Sequence, residues 1–100
     1  MTAVTLLFSW DERKSRSNLK KHGVSFEAAT LVFDDPLHIT RLERIEDGEQ
    51  RWQTIGMAGG VLLLLVALTW EESITHETQI RIISARRTTK VERKIYEEGA

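Results

Sequence analysis

Six basic side chains fall within the stretch "IRIISARRTTKVERKIY", Ile80 to Tyr96, where Arg81, Arg86, Arg87, Lys90, Arg93 and Lys94 face one acid, Glu92. An arginine fork bonds two phosphate oxygens at once and keeps its charge at any physiological pH, so this cluster suits the binding of a phosphate chain. A second basic island runs from Glu12 to Gly23, with Arg13, Lys14, Arg16, Lys20 and Lys21 against Glu12 alone. It also holds His22, whose residue type titrates near neutrality and suits general acid or base work. The helix-end alternative for Lys20, Lys21 and His22 stands beside this, since cations are favoured where a helix dipole ends. Between the islands, from Asp34 to Gln79, nine acids face only Arg41, Arg44 and Arg51. The net charge is −1, so any polyanion has to bind where the islands meet in space.

Composition narrows the classes. One hundred residues, 41% of them hydrophobic and 29% charged, make one domain with one core. The absence of cysteine excludes disulfides, a thiolate nucleophile and a zinc site of the cysteine type. His22, His38 and His76 lie far apart with no ligand-spaced pair, so no metal and no cofactor is expected. The run "VLLLLVALTW", Val61 to Trp70, is half the length of a membrane-spanning helix and ends at Glu71-Glu72, so it reads as a buried element. The N-terminal "MTAVTLLF" has no basic leader, and a cleaved signal is not expected.

The elements that must position these residues follow from period and punctuation. Leu6 to Trp10 reads as a strand. Asp11 caps a helix over Glu12 to Lys21, with Gly23 as its left-handed stop, Leu19 as its one apolar contact and Glu12 spaced to pair with Arg16. Ser25 caps a second helix from Phe26 to Phe33, ended by Asp34-Asp35-Pro36, which reads as a turn rather than a catalytic carboxylate pair. "LHITRLERI", "RWQTIGMA", Val61 to Trp70 and Gln79 to Ala85 then read as strands, the first two joined by the "EDGE" turn and the third covered on both faces. Thr89 with Glu92 forms a capping box opening a last helix to about Glu98. The order predicts an α+β fold, two N-terminal helices and one C-terminal helix packed on a mainly antiparallel sheet. Strict alternation along the last strand puts Arg86 with Ile80, Ile82 and Ser84, and Arg81 on the other face, enclosed by Ile83 and Ala85.

With the chain laid out this way, "WDERKSRSNLKKHGVSFEAATLVFDDP", "RWQTIG" and "RIISARRTTKVERKIY" closely resemble the BrnT family of bacterial type II toxins, a family similar to the RelE superfamily of small endoribonucleases. The resemblance covers Trp10 to Tyr96. It implies a RelE-like fold over residues 1–100 in the cytoplasm, and RNA as substrate, cleaved without a metal so that growth arrests. It also implies a ribbon-helix-helix antitoxin as partner, a toxin–antitoxin heterotetramer, and contact with operator DNA only through the antitoxin. A toxin without its antitoxin is expected to form a homodimer, and no membrane partner is implied. The competing class is a subunit that binds antitoxin and corepresses without cutting RNA.

Metal-free RNA cleavage requires activation of the 2′-hydroxyl, protonation of the leaving 5′-oxygen and stabilisation of the charge growing on phosphorus. Under the resemblance, Arg51, Arg81 and Arg86 are the expected phosphate clamps, and His22 or Lys21 the proton carrier. Lys20 and Arg87 add charge along the strand of RNA. Trp52, if exposed beside Arg51, offers a surface on which a base stacks, and Tyr96 another contact, although packing against the sheet is its simpler role. Arg51 has a second simple reading as the partner of Glu49 or Asp47, and Arg86 as the partner of Glu92.

Overall fold

The computed structural model describes residues 4–99; Met1 to Ala3 of the apolar N-terminal stretch, and Ala100, lie outside them. The chain runs β1 (Thr5–Ser9), α1 (Glu12–His22), α2 (Phe26–Thr30), a 3-10 turn (Leu31–Asp34), β2 (Ile39–Glu46), β3 (Glu49–Ala58), β4 (Leu62–Glu72), β5 (Glu77–Arg87) and α3 (Lys90–Glu98). The five strands form one sheet in the order β1-β5-β4-β3-β2. All pairs are antiparallel except β1 with β5, which are parallel. The fold is α+β, as its sequence predicts.

The second helix is shorter than its period suggests. Phe26, Ala29 and Val32 are fully buried, a spacing of three, which is the repeat of a 3-10 helix. The α-helix accordingly stops at Thr30 and the chain tightens through Leu31–Asp34, bringing Val32 into the core while Phe33 is only partly buried. This turn lies directly on β3. A Cβ on Gly56 would stand 2.9 Å from the Val32 carbonyl oxygen and 3.1 Å from the His38 Cβ, so only glycine permits the approach.

The helical layer of α1, α2 and the 3-10 turn covers one face of the sheet at the end where β3 and β4 meet, over Ala58, Leu64, Val66 and Ala85. On the other face, α3 covers a smaller cluster of Ile55, Leu63 and Leu65, with Ile95 and Tyr96 packed against it. Leu62–Glu72, a residue later at its start and two at its end than the apolar run, is thus the central strand, buried on both sides over its first half.

The first helix does not pack through Leu19, which is 50% exposed. Its buried stripe is Ser15 and Asn18. Strand β1 ends at Ser9 opposite Arg81, leaving the rest of β5 with a bare outer edge. There α1 takes the place of a strand. The Asn18 amide donates to the Ala85 carbonyl (2.8 Å), accepts from the Ala85 amide N–H (3.2 Å) and donates to the Val24 carbonyl (2.9 Å). One amide therefore satisfies the edge of β5 as a neighbouring strand would. Glu12 accepts a hydrogen bond from the Trp10 indole (3.2 Å) and makes no ion pair with Arg16.

Candidate nucleic-acid interface

A β-bulge decides which arginines meet. Leu68 pairs with Ile82 but Ala67 pairs with Ser84, so Ile83 has no partner and the alternation of β5 shifts by one residue. Arg81, Ser84 and Arg86 then share a face, while Ile80, Ile82 and Ala85 point to the helical core. Arg81 is exposed, not enclosed by isoleucines. The expectation from strict alternation, which separates Arg81 from Arg86, fails at this bulge.

The pairing registers place Arg51 and Gln53 of β3, and Arg41 and Arg44 of β2, on that same face. Five arginines from three strands thus occupy the sheet beyond the edge of α3. Three of them, Arg41, Arg44 and Arg51, come from the acidic middle of the sequence. Arg44 stands directly opposite Arg51, a repulsive cross-strand pair, and Glu46 opposite Glu49. Each arginine is neutralised along its own strand instead, Arg44 by Glu46 (3.0 Å) and Arg51 by Glu49 (3.2 Å). The Arg51 Nε is buried without an acceptor, so Glu49 satisfies only part of that guanidinium.

Arg86 and Arg81 differ in their partners. Arg86 makes a fork-to-fork pair with Glu92, at 2.8 and 2.9 Å, and Glu92 also accepts from the Thr89 amide (2.9 Å) to complete the capping box of α3. The hydrogen bond from Arg86, helped by Thr89 and by the guanidinium charge, outweighs burial and holds the Glu92 carboxyl at about 2. In return the Glu92 hydrogen bond, opposed by burial and aided by the charges of Glu92 and Glu43, raises Arg86 above its ordinary value. Arg81 makes no ion pair and no side-chain hydrogen bond with any other described residue.

The other expected residues lie apart from this face. Lys20, Lys21 and His22 are exposed in the last turn of α1, beside the outer edge of β5, with no ion pair among the described residues. Trp52 follows Arg51 and so points to the opposite, helical side, packing against Trp70 with ring centroids 5.8 Å apart. Arg87 likewise faces away from Arg86. His38 lies against Phe33 and His76 in the β4–β5 turn, so none of the three histidines stands on the arginine face.

Tyr96 donates to the Asp35 carboxylate (2.6 Å), which also accepts from the amides of Met57 (2.8 Å) and Leu37 (2.9 Å). Burial opposes the Asp35 charge, but these bonds and nearby His38 outweigh it and lower its titration; the bond to Asp35, then burial, raises that of Tyr96. Asp35 ties α3 to β3 and the 3-10 turn. Its sequence signal, two acids before a proline, reads only as a turn.

At the end of the sheet away from α3, the β3–β4 ladder stops at Trp52 and Leu68, although β2–β3 and β4–β5 each continue further. The two ribbons splay there and open a cleft of about 680 Å³ between them, bordered by Glu49 and Gln50 on one side and Thr69, Glu71, Gln79 and Arg81 on the other.

A family model described as ribonuclease toxin, BrnT, of type II toxin-antitoxin system matches residues 10–92. The chain belongs to the BrnT family. Its fold is similar to the crystal structure of the Brucella abortus ribonuclease toxin BrnT, determined at 1.1 Å resolution, with a TM-score of 0.57 and 25% sequence identity over 87% of this chain and 100% of that one. No curated protein sequence matches it. BrnT membership implies an antitoxin partner. The match runs from Trp10 to Glu92, the acid that holds Arg86, and spans Asn18, Gly56 and the bulge. No helix among the described residues is long and apolar enough to cross a membrane.

Proposed function

We propose that this chain is an endoribonuclease toxin of RelE-like fold, a single domain over residues 1–100, that cleaves RNA in the cytoplasm and arrests growth until its antitoxin binds. The observation that carries the reading is the shared face of Arg51, Arg81 and Arg86, brought about by the bulge at Ile83. Arg81 and Arg86 stand four ladder steps apart along β5, about 13 Å, and Arg51 lies two strands over, so the three suit separate phosphates of one RNA strand. The attacking 2′-oxygen bonds to phosphorus, the P–O5′ bond breaks, and the arginines stabilise the charge on the phosphoryl oxygens. The proton leaving the 2′-hydroxyl and the one reaching the 5′-oxygen are assigned to His22 or Lys21, which stand at the outer edge of β5 apart from the arginine face, so the scheme requires the RNA strand to turn over that edge. Lys20 and Arg87 contribute flanking charge, while Trp52 and Tyr96 act through packing. No metal takes part in this scheme.

Purified protein incubated with single-stranded RNA in a chelator tests it. Products ending in a 2′,3′-cyclic phosphate and a 5′-hydroxyl are expected, with a loss of at least tenfold in Arg81→Ala. Intact RNA under all conditions, together with unimpaired growth on expression without antitoxin, would reject the enzyme.

A second reading is favoured by the absence of histidine from the arginine face and by the engagement of Arg86 with Glu92. In it the chain is a corepressor subunit whose arginine face binds the antitoxin, of ribbon-helix-helix type in a two-plus-two heterotetramer that alone touches operator DNA. Protein without its antitoxin is then a homodimer.

A further inference from the structure

The cleft where the ribbons splay is not needed to hold a phosphate, yet it borders the arginine face through Arg81 and Glu49. At about 680 Å³ it lies in the range of pockets that take small organic ligands. Its walls carry opposite chemistries. Arg81 has no acid partner among the described residues, and two residues along β5, Gln79 pairs across the ladder with Glu71. Glu49 is engaged by Arg51 (3.2 Å), whereas Glu71 has no cationic partner among the described residues. A ligand suited to this arrangement has an anionic group and an edge presenting adjacent donors, roughly 7 Å apart.

We infer that this cleft is a nucleobase-specificity pocket that selects guanine next to a phosphate held by Arg81. This rests on the RNA-cleaving reading above. Guanine alone among the four bases places two N–H donors side by side, at N1 and at the 2-amino group, which match the two oxygens of the Glu71 carboxylate. Adenine and cytosine set one amino donor beside a ring-nitrogen acceptor, and uracil flanks its single N–H with carbonyls, so each turns a lone pair toward Glu71. Gln79 supplies a donor for the guanine carbonyl.

The test is binding of short 2′-O-methyl RNA oligonucleotides, which resist cleavage by 2′-oxygen attack, differing at one central nucleotide. Guanosine is expected to bind at least fivefold more tightly than adenosine, cytidine or uridine there. Inosine, which lacks the 2-amino group, is expected to lose about fivefold in wild-type protein and to show no loss against guanosine in Glu71→Ala. Equal binding of all four bases, or an inosine loss that persists in Glu71→Ala, overturns the pocket while leaving RNA binding intact. If no oligonucleotide binds, the RNA-cleaving reading fails and the pocket with it.

Discussion

The two ends of the sheet are built to opposite rules. At the end covered by α3 and the helical layer, polar groups are held by geometry: Asn18 on the edge of β5, Asp35 between Tyr96 and Met57, Arg86 in the fork of Glu92. At the splayed end, strands separate, charges stand in water, and Arg81 and Glu71 have no ionic partner among the described residues. Stability is concentrated at the first end and recognition at the second. An identical arginine fork serves as a structural clip in one place and as a free ligand in the other, and what separates them is an acid six residues away.

The comparison breaks most sharply at Gly56. Gly56→Ala is expected to destabilise by about 3 kcal/mol or more, because the Val32 carbonyl is backbone and cannot step aside. Asn18→Ala, which strands the edge of β5 in a buried site, is expected to cost about 2–4 kcal/mol, a fall of roughly 10 °C or more in thermal midpoint. Both are read by thermal melts. The same substitution at the other end, Arg81→Ala, is expected to stay within about 0.5 kcal/mol of wild type.

Acid sharpens the contrast. Glu92 titrates at about 2 in the fold and near 4.5 outside it, so its contribution is complete above about pH 4.5 and is lost as pH falls toward 2. With its side chain only 13% exposed, that contribution is on the order of 2–3 kcal/mol. Stability measured from pH 6 to pH 2 should decline along this limb in wild type, and the limb should shrink in Glu92→Gln, whose α3 is already loosened. Tyr96→Phe, which leaves Asp35 with its two backbone donors, should cost about 1 kcal/mol.

Much of the stable end was legible in the sequence. Ser25, Thr89 with Glu92, and Gly23 punctuate helices where caps were expected, and at the splayed end the pairing of Arg51 with Glu49 follows from their closeness. What failed did so because it depends on distant partners. The bulge at Ile83 has no local signature, being neither glycine nor proline, and it alone turns Arg81 to the side of Arg86. Leu19 misled because Asn18 makes the buried contact, a choice forced by the bare edge that β1 leaves on β5. Trp52 beside Arg51 in sequence means opposite faces in a strand, so the pair cannot serve one site. Two further arginines of the acidic middle, Arg41 and Arg44, joined the cluster only through the register of β2.

The most direct measurement is RNA affinity as a function of salt for wild type and the Arg51→Ala/Arg81→Ala pair, with thermal melts in parallel. If the open end of the arginine face carries the phosphate chain, the double variant binds at least tenfold more weakly and the slope of log affinity against log salt falls by about 1.4 for single-stranded RNA, with little change in melting. Unchanged affinity and slope in a folded double variant would contradict the assignment of recognition to this end of the sheet.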